Sequence, residues 1–226
     1  MNSKAFTLVE LLVVIVVIVL LASLVVPVLT KVGEMARSSA CLSNMHHMGL
    51  AVLAYASDNS LHYPPSSCAS NENPVEVWWI NALQKYSDTA LLYRCPSEES
   101  DTFVNWSDPP MQSELDKLRW ASYSTNARFD QNQFSRLASV PNAPATIYAC
   151  ETRRGILGSD HVHPEMWFSR TALENQVAHD RHLGASNYIF ADGHAETMKI
   201  EETWQPGRRN LWNPKKSPRW SGPMEY

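Results

Sequence analysis

The chain has 226 residues, 44% of them hydrophobic and 19% charged, with a formal net charge of -4. That length suits one globular domain plus an extension and excludes two large domains; the weakly acidic balance supplies no basic field for nucleic acid. The hydrophobic residues are unevenly spread. From Leu11 to Leu29 the chain reads LLVVIVVIVLLASLVVPVL, in which Ser23 alone is polar. At ~1.5 Å per residue the run covers most of a ~30 Å hydrocarbon core. Val and Ile favour strands in water, but lipid forces every backbone group to find its partner within the segment, so the run is expected to be helical. It is too long for a secretory signal, and LLASL near Ala22 is a poor match to a signal cleavage site. Lys4, the one charge before Phe6, points the N-terminus to the cytoplasm and the rest of the chain across the membrane. Glu10 is the sole acid in this apolar stretch, and its cost there makes it a functional candidate.

Beyond Pro27 the pattern turns amphipathic. Cys41, Met45, Met48, Val52 and Tyr55 recur at helical spacing, with Leu42, Gly49 and Leu53 alongside; Arg37, Ser43, Asn44 and His47 occupy much of the other side. One helix is expected from about Phe6 to about Ser57, roughly 75–80 Å long. Pro27 should kink it, because the ring removes a hydrogen bond and crowds the preceding turn. The breaker-rich SDNSLHYPPSS ends it. Downstream, VEVWWI (75–80), LLYRC (91–95), ATIYAC (145–150), NYIFA (187–191) and AETMKI (195–200) are strand candidates. The last two flank Asp192-Gly193, a strong hairpin signal. WINALQKY (79–86) and SELDKLRW (113–120) are short-helix candidates, the first overlapping a strand candidate. Core packing accounts for Trp78 and Trp79. The final segment, 203–226, carries Trp204, Trp212 and Trp220 among four prolines and a net charge of +4. It reads as an extended arm, either docking a neighbour or laid over its own head with Trp side chains in grooves.

Cys41, Cys68, Cys95 and Cys150 show no CxxC spacing, which argues against a zinc ribbon or a thioredoxin-like site. In an exported head they are candidates for two disulfides, with Cys41–Cys95 and Cys68–Cys150 favoured among three connectivities, or for buried thiols. The pairs His161/His163 and His179/His182, with Asp180, Asp192, His194 and Glu196 nearby, invite a metal. No HExxH, GxSxG or phosphate-binding glycine loop is present, so neither catalysis nor a metal or other cofactor is expected.

The stretch FTLVELLVVIVVIVLLASLVVPVL closely resembles the N-terminus of type IV pilins and type II secretion pseudopilins: a short polar leader, Phe6, Glu10 four residues on, a long apolar run and a late proline. Ala5 stands where the family usually has Gly. A second resemblance lies in HLGASNYIFADG, His182 followed after nine residues by Asp192-Gly193, which is similar to the H-X9-DG region of a large bacterial group of pilin-like proteins. CLSNMHHMGLAVLAYASDN and YRCPS are similar to the same group. These resemblances imply cleavage by a prepilin peptidase between Ala5 and Phe6, N-methylation of Phe6, and assembly through the helix with other pilin-like subunits. They imply a location in the bacterial inner membrane as a single-pass protein with an extracytoplasmic head. In a filament, Glu10 of one subunit is expected to meet the Phe6 ammonium of the next, fixing the axial register; the alternative is a glutamate tolerated near the headgroups.

The expected layout is therefore a leader (1–5), the membrane half of a helix (6–30), its amphipathic half (31–57), a head (58–202) and the tail (203–226). The fold class is α+β, a long helix packed on a small antiparallel sheet. The expected function is structural, as a pilus or pseudopilus subunit. The competing reading is a membrane-tethered extracytoplasmic binding module that does not polymerise. No nucleic-acid partner is expected.

Overall fold

A computed structural model of the chain describes residues 7–68, 79–87, 93–98, 100, 103–104, 114, 117–130 and 133–217. Helix α1 runs unbroken over Leu8–Asp58, through Pro27, for about 77 Å. It starts where Thr7 accepts the Glu10 N–H and stops where Asn59 turns its side-chain amide back onto the Tyr55 carbonyl. Its two halves differ as the pattern requires. Every residue from Leu8 to Val32 is exposed, whereas Cys41, Met45, Met48, Gly49, Ala51, Val52 and Ala56 are buried. By length and composition α1 is able to cross a membrane, and it is the single such helix among the described residues.

The head is built on a five-stranded sheet: β1 (Tyr123–Asn126), β2 (Ile147–Glu151), β3 (His161–Val162), β4 (Ser186–Phe190) and β5 (Ala195–Met198), in the order β3-β1-β2-β4-β5. Neighbours pair antiparallel except β1 with β3, so the sheet is mixed, not wholly antiparallel as expected. This is the pilin-like α+β arrangement: one long helix laid on a small sheet. The central strands are buried on both faces. On β4, Ile189 faces α1 together with Tyr148 and Ala149 of β2, while Tyr188 and Phe190 face a second core containing Leu173, Leu211 and Trp212. Two-sided burial is why ATIYAC and NYIFA read as short continuous apolar runs.

Several expectations are corrected. VEVWWI is not a strand where it is described: Trp79 and Ile80 begin the helix α2 (Trp79–Leu83), which continues as a 3-10 turn over Gln84–Tyr86. Trp79, Ile80 and Leu83 bury one helical face, and that spacing decides between the overlapping readings. Residues 75–78, Trp78 included, lie outside the described residues. In LLYRC, residues 93–95 are irregular, and Cys95 opens a turn instead. Of SELDKLRW, Leu118–Trp120 is not helical, and Arg119 forms an isolated bridge with Phe103. AETMKI splits: β5 ends at Met198, and Ile200 starts the short helix α3 (Ile200–Thr203). Over its described length the tail is laid over its own head, the second of the two readings, and is not extended throughout. The hairpin β6 (Trp204–Gln205) and β7 (Arg209–Asn210) leads into Trp212, which is fully buried edge-on to Trp167 and Tyr188. Trp220 lies outside the described residues.

Tyr63 ties the chain after α1 to the end of β4, its hydroxyl donating to the Ala191 carbonyl at 2.8 Å in the core. Tyr63→Phe should cost about 1 kcal/mol of stability by chemical denaturation, with the ring packing unchanged.

Candidate functional site

Three of the residues singled out by the sequence, Cys41, Cys95 and His182, converge on the junction between α1 and the sheet. His182 stands just before β4 and is buried. Its Nδ1 lies 3.2 Å from Oε1 of Glu34 on α1, and its Nε2 lies 2.9 Å from Oε1 of Glu151 at the end of β2. Cys95 Sγ approaches the same Nε2 at 3.5 Å, and Cys41 Sγ on α1 donates to Glu151 Oε1 at 3.1 Å. The other oxygen of Glu151 is held by the Asn187 N–H at 2.7 Å and the Ser186 hydroxyl at 3.2 Å. Burial alone would raise the Glu151 carboxyl, but hydrogen bonding to His182 and the Arg181 charge outweigh it and bring it down to about 2. Burial likewise pulls His182 down, yet its bonds to Cys95 and Glu151 win and push it up to about 10. Hydrogen bonding to Cys41 and His182 depresses the Cys95 thiol, while burial raises that of Cys41.

At the other end of β4, the Asp192-Gly193 turn meets α1 again. Gly193 takes φ +88° and closes the β4–β5 hairpin, its N–H donating to the Phe190 carbonyl at 2.9 Å. Asp192 caps the turn by accepting from the backbone and ring of His194, which stacks on Phe190. Gly193 sits against Gly49 of α1 so closely that a Cβ on Gly49 would lie 2.1 Å from the Gly193 carbonyl oxygen. The H-X9-DG spacing thus has a mechanical meaning. Ser186 to Asp192 spans about 20 Å of extended chain, and Glu34 to Gly49 spans about 22 Å of helix. β4 runs alongside α1 and is fastened at both ends. His182 sits at the end of the strand away from the Asp192-Gly193 turn.

The Cys-Pro-Ser element joins the same junction. Cys95 enters the His182 cluster, Ser97 donates to Glu34 Oε1 at 2.7 Å, and Glu98 turns inward to a buried charge network. Glu98 Oε2 pairs with Arg119 at 2.9 Å and Arg181 at 2.6 Å, all three groups nearly sealed from solvent. Arg119 also donates to the carbonyls of Thr152, Arg153 and Ile156. Burial lowers its guanidinium to about 10. Arg181 bridges to Glu151 at 3.5 Å, linking the network to the His182 cluster.

All four cysteines are free thiols. Cys41 and Cys95 do come together, whereas Cys68 is exposed and Cys150 is fully buried in the second core, so the Cys68–Cys150 pairing is not made. Of the histidines, His161 and His163 meet, Nε2 to Nε2 at 3.0 Å, with Cys68 beside them and Asp160 and Glu165 behind. His179 bonds back to the Val177 carbonyl, apart from that group.

The N-terminal site is simpler. Thr7 and Glu10 form a capping box: Glu10 Oε2 accepts from the Thr7 N–H at 2.9 Å and its hydroxyl at 2.7 Å. The carboxylate in the apolar half is thereby satisfied within its own chain, in front of an uninterrupted lipid-soluble surface. Ala5 and Phe6 lie outside the described residues. Residues 1–26 match the family model of the prokaryotic N-terminal methylation motif. They carry the prepilin and pseudopilin signature. No curated protein and no solved structure matches the chain. Within the motif, Glu10 stands one helical turn from Thr7, at the mouth of the apolar run.

Sequence reasoning missed Glu34, Glu98, Arg119, Glu151 and Arg181. One signal was available for two of them: Glu151 ends an apolar strand run, and Arg181 adjoins His182 of the H-X9-DG motif.

Proposed function

We propose that the chain is a structural subunit of a pilus or pseudopilus, cut between Ala5 and Phe6, N-methylated on Phe6, and polymerised through α1. The observation that carries this reading is the methylation motif at residues 1–26 on a helix whose residues 8–32 are all exposed in the single chain. A surface that apolar must be covered, first by lipid and then by neighbouring helices. Glu10 serves both stages. Its capping-box bonds keep the carboxylate satisfied in the membrane, and exchanging them for the Phe6 ammonium of a neighbour sets the axial register of the helix bundle. The prepilin peptidase, pilin-like subunits and the inner membrane are the partners this reading requires, with the N-terminus cytoplasmic and the head on the other side.

Mass spectrometry of the native N-terminus tests the processing step. A chain beginning at N-methylated Phe6 is expected; an intact Met1 or a cut near Ala22 would overturn it. Glu10→Val tests assembly: insertion should be normal and incorporation into filaments lost. Normal incorporation of that variant would end the register role of Glu10, and stable membrane monomers of the processed wild type would favour the tethered binding module.

A further inference from the structure

The buried cluster at the junction has the composition and shape of a metal centre. Cys41 comes from α1, Cys95 from the turn after residue 94, Glu151 from β2 and His182 from the segment before β4. One ligating atom from each lies within 4.8 Å of all the others. Three of the four residues are fully buried and His182 is 4% exposed. We infer that Cys41, Cys95, Glu151 and His182 hold a structural zinc ion that fastens α1 to the sheet.

Three features carry this. The first is the donor set: two sulfurs, an imidazole nitrogen and a carboxylate oxygen make up the ligand types zinc takes in closed four-coordinate sites. Magnesium and calcium prefer all-oxygen shells, and an iron–sulfur cluster takes four cysteines, or two with two histidines, where this site has a single histidine. The second is orientation from behind. His182 turns Nε2 to the centre while Nδ1 engages Glu34 Oε1, the carboxylate–histidine–metal arrangement that fixes the tautomer of a ligating histidine. Glu151 turns Oε1 inward while Asn187 and Ser186 hold Oε2, and the Tyr123 hydroxyl supports Cys41 Sγ at 3.1 Å. The third is charge. Two thiolates, one carboxylate and a dication sum to -1, and the Arg181 guanidinium, 3.5 Å from Glu151, offsets that charge. The thiol protons leave to solvent on binding.

The test uses the full chain purified in detergent, in a His161→Ala/His163→Ala background so that this separate histidine pair contributes nothing. After metal removal, reloading with zinc and dialysis, one zinc per chain is expected. Loading with cobalt instead should give a thiolate-to-cobalt absorption in the near ultraviolet, reduced in Cys95→Ser and lost when Cys41→Ser is added. Because removing a buried ligand also threatens folding, Glu34→Gln is the second variant. It touches no metal, should keep the native circular dichroism, and should weaken zinc about 10–100-fold through His182 alone. A folded parent without stoichiometric zinc, a Cys41–Cys95 disulfide in the native protein, or unchanged zinc affinity in Glu34→Gln would overturn the site.

Discussion

Glu98→Ala should destabilise the head by about 3–5 kcal/mol, because it leaves two guanidinium groups buried without their shared counter-charge. Arg119 is wholly enclosed, with a Phe103 ring 5.6 Å from its guanidinium carbon, and has no path to water without opening the segment around it. Arg181 keeps Glu151, at 3.5 Å, and so loses less than Arg119. The effect should therefore shrink when the orphaned charge is removed as well: Glu98→Leu with Arg119→Met should recover much of the loss. Urea denaturation of the detergent-solubilised chain measures both. Equal midpoints for Glu98→Ala and the wild type would mean that the pair contributes nothing.

Gly49→Ala is expected to cost about 1–3 kcal/mol, the range for forcing an extra methyl into a packed interior. The new Cβ would meet the carbonyl oxygen of Gly193 at 2.1 Å and its carbonyl carbon at 2.9 Å, both backbone atoms, so no side chain is free to swing aside. Helix and hairpin must separate, and the turn that moves is the one closing β4 and β5. Gly193→Ala should be similarly harmful for two reasons. Its φ of +88° is strained for any L side chain, and its Cβ would press on Leu53 at 2.6 Å. Since either change opens the same contact, the double variant should lose less than the sum of the singles. An Ala substitution at exposed Leu50, the next residue of α1, is the control and should leave the thermal midpoint nearly unchanged.

The long helix and the β4–β5 hairpin were legible because each shows its environment in a local pattern. Cys41, Met45, Met48 and Val52 fall on one helical face, and Asp-Gly between two apolar runs has a single economical geometry. β1 was not legible: Tyr-Ser-Thr-Asn is polar, yet all four residues are buried, with Ser124 bonding to Thr152 and Asn126 to the Ile147 and Trp212 carbonyls. β3 and β6 are two residues each, too short to show any period. Trp212 takes the second of the two readings of the tail, laid into its own head, but its partners, Trp167 and Tyr188, lie far away in sequence and could not be named from it. The junction cluster defeated motif reading for the same reason. Its four donors come one from each of four segments, so no spacing announces them. Of the H-X9-DG motif, the sequence shows the turn but not that both ends rest on α1.

The double fastening of β4 along α1 also bears on how force passes through the molecule. A slip of one residue along a helix moves the contact by about 1.5 Å and rotates it by about 100°. Such a slip would swing Gly49 out from under Gly193 and Glu34 away from His182 in one stroke, so there is no low-energy intermediate position. Traction applied to the N-terminal end of the helix is thus carried to the sheet in shear, at two points about 20 Å apart. The head follows the helix as cargo bolted to a shaft.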